Sequence, residues 1–144
     1  MRLLEPLLIS GAALLLGCGG MEIVELERAE ALWGQQSLDS YDFEYARSCE
    51  CTLAGQALRV SVRSGAVSEV KRKDTGAVLQ PGEYGSVPTI AELFATLDRA
   101  SRDADAWSAT YDAGLGYPRS ISIDWDRQLA DEETVETASG VTAR

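Results

Sequence analysis

The sequence predicts an α+β domain: an antiparallel sheet of five to six strands with two helices, in the order α-β-β-β-α-β-β-β. Two observations carry this. Apolar and polar residues alternate in short runs, as in Tyr41, Phe43, Tyr45 against Asp42, Glu44, and in Ile121, Ile123, Trp125 against Ser120, Ser122, Asp124. A period of two marks a strand with one buried and one wet face. Elsewhere the apolar residues recur at three and four, as in Ile23, Leu26, Ala29, Trp33 and in Ile90, Leu93, Phe94, Leu97, which is the period of a helix with one buried stripe. Elements arranged this way pack helices on one face of the sheet. A length of 144 residues allows one such domain, or one domain plus a targeting segment. With 45% hydrophobic and 25% charged residues, the composition is globular rather than disordered.

Residues 1–17, MRLLEPLLISGAALLLG, read as a signal peptide. The apolar run from Leu7 to Leu16 is too short to span a bilayer, which takes about 20 residues, and fits the h-region of an export signal. The run ends Leu15-Leu16-Gly17-Cys18, which resembles the lipobox of bacterial lipoproteins. That resemblance implies cleavage before Cys18 and acyl chains on its sulfur; the alternative is an ordinary signal peptide with an incidental cysteine. Two or more chains anchor a protein stably. Residues 18–20 then form the lipidated cysteine and a short tether, 21–138 a single domain, and 139–144 a frayed tail.

The first helix spans Met21 to Trp33, with Glu22, Glu25, Glu27 and Glu30 on its other faces, and Gly34 ends it. A strand begins at Tyr41, and its parity carries Arg47, Cys49 and Cys51 along the aromatic face. Strands Leu58 to Arg63 and Ala66 to Arg72 follow, joined by Ser64-Gly65, with Arg59, Arg63, Lys71, Arg72 and Lys73 on a solvated outer face. Asp74 to Val87 reads as a loop. Thr89 followed by Glu92 forms a capping box at the start of the second helix. Trp107, Ala109 and Tyr111 alternate next; Gly114, Gly116 and Pro118 make a hairpin connection, and a short strand closes the domain at Thr134 to Ala138. The order suggests two similar halves sharing one sheet, without repeated residues.

An ordered set of motifs spans this domain: Tyr45-x-Arg47-x-Cys49-x-Cys51, Val60-x-Val62-x-x-Gly65-x-Val67, Asp74-Thr75-Gly76, Pro88-Thr89-Ile90-x-x-Leu93-Phe94, Tyr111-Asp112, Gly116-Tyr117-Pro118-x-Ser120-Ile121-x-Ile123-Asp124 and Asp131-Glu132-Glu133. From about Tyr41 to Val135 it resembles domain-of-unknown-function family six-one-seven-four, a family of uncharacterised bacterial lipoproteins. The resemblance implies an envelope location and carries over no catalytic residue.

Three chemistries are open to the residues. Cys49 and Cys51 suit a disulfide in an exported protein. On an extended strand their Cα atoms would stand near the upper limit for a bridge, so the strand must bulge or end there. A strained pair of this kind could instead serve thiol-disulfide exchange. The acids Asp124, Asp126, Asp131 and Glu133, with Glu132 among them, are oxygen ligands of the sort calcium takes, although their spacing fails the EF-hand loop and suits a solvated acidic turn. Paired carboxylates could serve a glycosidase, yet nothing fixes their separation. The chain has no histidine, which excludes histidine triads and ordinary zinc sites. A net charge of −10 argues against nucleic acid as a partner. The expectation is a non-catalytic binding module without a cofactor, anchored to a membrane through Cys18, with an envelope protein or ligand as partner.

Overall fold

The computed structural model describes residues 19–144. The segment expected to be a signal peptide, 1–17, and Cys18 lie outside the described residues. A helix α1 (Gly19–Gln35) leads into strands β1 (Tyr41–Ser48), β2 (Leu58–Arg63) and β3 (Ala66–Arg72). A two-residue strand β4 (Val78–Leu79), a single turn α2 (Pro81–Tyr84) and helix α3 (Ile90–Asp103) follow, and β5 (Ala106–Tyr111), β6 (Pro118–Asp124) and β7 (Glu133–Ala143) complete the chain. One antiparallel sheet holds all the strands in the order β4-β3-β2-β1-β7-β6-β5. Two antiparallel meanders, one from each half of the chain, therefore meet where β1 pairs with β7.

The architecture is α+β, with seven strands. The extra strand lies in the segment from Asp74 to Val87, which the sequence suggests is wholly loop: Val78 and Leu79 pair with Lys71 and Val70 before Pro81 opens α2. Two residues are too few for an alternating pattern to register. Helix α3 starts as its capping box dictates, with the Glu92 N–H donating to Thr89 Oγ1 at 3.1 Å and the Thr89 N–H to Glu92 Oε2 at 2.7 Å. Ile90, Leu93, Phe94, Leu97 and Ala100 are buried along its length.

Three expectations are corrected. Gly19 and Gly20 belong to α1 rather than to a tether. Ile23 is exposed, since burial in α1 begins at Leu26 and continues at Ala29 and Trp33; the first turn runs past the part of the helix that packs. The tail at 139–144 is not frayed. β7 continues to Ala143, pairing Asp42 with Thr142 and Tyr41 with Ala143. Gly140 takes φ 63° where the β1–β7 register shifts, and a glycine in that conformation makes a bulge through which the strand continues.

The core lies between the sheet and α1 and α3. β1 contributes Tyr41, Phe43 and Tyr45, β2 Leu58, Val60 and Val62, and β6 Ile121 and Ile123. Trp33 of α1 meets the Tyr41 and Tyr117 rings edge-on, at centroid distances of 5.3 and 6.4 Å. The opposite face of β1–β3 carries ion pairs: Asp42 with Arg63 and Arg144, and Glu44 with Arg59 and Lys73. These cations are about half exposed, so the pairs contribute little stability.

Candidate functional site

Two concave regions and one acidic turn hold the side chains capable of chemistry. The first region forms where β1 ends. The strand stops at Ser48, so Cys49 and Cys51 leave the sheet instead of continuing its inner face. They sit in a bend with Cα atoms 5.2 Å apart and form a disulfide. The loop beyond them folds back: the Gly55 N–H donates to the Arg47 carbonyl at 2.8 Å, and Leu53, at φ 67°, is buried. Cys51 is exposed and Cys49 half-buried.

Arg47 keeps the parity of Tyr45 and stands opposite Glu136 of β7. Such a cross-strand pair would ordinarily form an ion pair. Here Glu136 Oε1 instead accepts the Tyr45 hydroxyl. Burial raises the Tyr45 pKa most, and the Glu136 charge and hydrogen bond raise it further. The Arg47 guanidinium lies 5.8 Å from the centroid of the Tyr45 ring, and its Nη1 donates to Ser86 Oγ at a long 3.4 Å. Its Nε is buried without a partner, and among the described residues no carboxylate comes within 4.0 Å of it. A pocket of about 190 Å³ opens there, lined by Arg47, Cys51, Thr52, Glu83, Tyr84 and Ser86.

The second region is a cleft of about 320 Å³ between α1 and β5, lined by Glu25, Arg28, Leu32, Ala109, Tyr111 and Asp112 among others. Tyr111 stacks on Phe94 with centroids 6.4 Å apart and planes 5° from parallel. Its hydroxyl is buried without a partner. Burial first, then the charges of Glu25, Glu22 and Glu30, push its pKa up to about 12. Asp112 is engaged in the turn, where its Oδ1 accepts the N–H groups of Gly114 at 3.0 Å and Leu115 at 2.8 Å.

The acidic run does not converge. Asp124 stands opposite Glu133 at the end of the β6–β7 ladder. Asp126 Oδ1 accepts the Gln128 N–H at 2.9 Å, and Asp131 sits in the turn with φ 70°. Among the described residues no three acidic or cysteine side chains gather as a metal cage. The structure thus brings Cys49 and Cys51 together but spreads Asp124, Asp126, Asp131 and Glu133 around a turn.

The isolation of Arg47 and the orphan hydroxyl of Tyr111 are what sequence reasoning missed. A signal for the first was present, because Tyr45-x-Arg47 puts an arginine on an otherwise aromatic face. Nothing in the sequence pairs Tyr45 with Glu136.

These features define a small α+β domain: two meanders joined into one helix-covered sheet, with a disulfide and an unpaired arginine at its β1 end. No curated protein and no solved structure matches the chain. It belongs to the family of unknown function DUF6174, which matches residues 25–143. That span takes in the sheet up to Ala143.

Proposed function

We propose that the protein is an exported lipoprotein, held to a bacterial envelope membrane by acyl chains on Cys18, that acts as a non-catalytic binding module for an envelope component. One observation carries the reading. Met21, Val24 and Ile23 are 70%, 62% and 41% exposed, and they are three of the five large hydrophobics exposed among the described residues. All three lie within six residues of Cys18. Apolar side chains left in water at that end of α1 are stabilised when they rest in the interfacial zone of a bilayer. Among the described residues no helix is long and apolar enough to cross a membrane. The cleft between α1 and β5 shares this helix and would hold a partner close to the membrane.

Detergent-phase partitioning tests the anchor. Wild type should enter the detergent phase and Cys18→Ser should remain aqueous, with Met21→Ser/Val24→Ser intermediate in binding to vesicles. Equal partitioning of wild type and Cys18→Ser would end the reading.

A second reading is favoured by the exposure of Cys51 beside Arg47. A substrate thiolate attacks Cys51 Sγ, forming a mixed disulfide and expelling Cys49 as thiolate. A second substrate thiolate then displaces Cys51, leaving the substrate as a disulfide and the protein as a dithiol, reduced by two electrons and two protons. An adjacent guanidinium favours thiolate over thiol. Oxidation of a dithiol peptide that is lost in Cys49→Ser supports it, and a bridge inert to such peptides removes it.

A further inference from the structure

We infer that the pocket beside Arg47 is a binding site for a carboxylate monoanion. The inference adds a ligand class to the binding-module reading and is independent of the anchor. Three observations converge. The Arg47 Nε is buried and has no acceptor, and its Nη1 has only the long contact to Ser86. Both nearby acids are engaged: Glu136 accepts the Tyr45 hydroxyl, and Glu83 Oε2 accepts the Gln80 N–H at 2.6 Å as the cap of α2. The space that remains, about 190 Å³, is lined by the hydroxyl-bearing residues Thr52 and Ser86 as well as by Tyr84.

Charge selects the ligand. The guanidinium of Arg47 lines the pocket, and a planar guanidinium carries its donors in pairs that match the two oxygens of a carboxylate. A phosphate dianion would call for a second cation, and Arg47 is the only basic residue lining the pocket. The chain's net charge of −10 further disfavours a dianion. The carboxylate could belong to a free small acid or to the C-terminus of a peptide, and the chemistry at Arg47 is the same for both.

The test uses the full chain in detergent. Sodium acetate at tens of millimolar should raise the Tm by about 3 °C over sodium chloride at matched ionic strength, the linkage expected for a ligand of the native state. Arg47→Gln should lose the shift, and Arg47→Lys, which keeps the charge without the fork, should keep less than half of it. In case Arg47→Gln folds poorly, the Nε–H resonance of Arg47 in wild type provides a second readout: it should move with acetate and stay still with chloride. No shift beyond chloride, an unchanged shift in Arg47→Gln, or a still Nε–H resonance would overturn the proposal. A tripeptide with a free C-terminus, compared with its amide, separates the sources. Binding at least tenfold tighter than acetate, lost on amidation, assigns a peptide terminus; affinity equal to that of acetate assigns a free small acid. Equal binding of the amide overturns the carboxylate itself. Cys18→Ser should titrate as wild type does, so failure of the anchor and failure of this site are read separately.

Discussion

The phenolic oxygen of Tyr41, on the central strand of the sheet, accepts the backbone N–H of Ile90 at 3.0 Å, so the middle of the sheet receives the first turn of α3. The first N–H groups of a helix have no partner within it. Ile90 is fully buried, so water cannot substitute. Tyr41→Phe leaves that donor unsatisfied and should cost about 1–3 kcal/mol. Urea unfolding measures it, with loss of amide-exchange protection at Ile90 as the local sign.

Tyr111 makes the opposite case. Its hydroxyl is buried but bonded to nothing, so Tyr111→Phe at pH 7 should leave stability within about 0.5 kcal/mol of wild type, or raise it. Alkaline pH separates the two proteins. The fold holds the Tyr111 proton to about pH 12, against 10.0 for the ordinary phenol. A raised pKa means that the folded state binds more protons between those values, so stability present below pH 10 is lost as pH rises through 12. Tyr111→Phe should make that decline shallower without abolishing it, because burial raises Tyr41 and Tyr45 as well. Unfolding midpoints from pH 9 to 12 would record this.

Gly116 is where α1 meets the β5–β6 hairpin. It has φ 86°, and a Cβ there would stand 2.5 Å from the Ala29 carbonyl oxygen and 2.9 Å from the Trp33 nitrogen. Both are backbone atoms of α1, so neither can move without the helix. Gly116→Ala should cost about 3 kcal/mol or more and loosen α1. Gly140, also at positive φ but with nothing within 4 Å of such a Cβ, is the control; Gly140→Ala should cost only about 1 kcal/mol. Equal costs at the two positions would show that backbone strain alone matters.

What was legible in the sequence was local. The bounds of β2 and β3, the Thr89–Glu92 box and the buried stripe of α3 follow from neighbours a few residues apart. Cys49 and Cys51 imposed the end of β1 through their own spacing. Features that depend on distant partners were not legible. Ile23 fits the helical stripe, and only the reach of the sheet decides that α1 begins to pack at Leu26. Arg47 is isolated because Glu136, 89 positions on, is held by Tyr45. The cleft beside Tyr111 exists because Gly116 lets the hairpin touch α1.

The last six residues give the sharpest test of long-range order. A frayed tail could be removed at no cost, whereas the sheet places Thr142 and Ala143 opposite Asp42 and Tyr41 on its central strand. The Arg144 N–H also donates to the Ser40 carbonyl at 3.0 Å, and its Nε to Asp42 Oδ2 at 2.7 Å. Truncation after Ala138 should therefore cost about 2–4 kcal/mol, as several backbone bonds are lost and one side of β1 is opened. Arg144→Ala alone should cost less than about 1 kcal/mol, since the arginine is half exposed. The pH dependence distinguishes the two losses. Burial raises the Asp42 pKa, but the bonds from Arg144 and Arg63 together outweigh it and hold the carboxyl below 3.8. A depressed carboxylate stabilises the fold above its unfolded pKa, and that contribution is lost as pH falls through the lower, folded value. Arg144→Ala should thus lower the neutral plateau by that small amount and leave stability at the acid end, where Asp42 is protonated, nearly unchanged, so that the acid limb flattens, whereas truncation should lower stability at both ends. If truncation leaves the plateau intact, the outer half of β7 contributes nothing to the sheet.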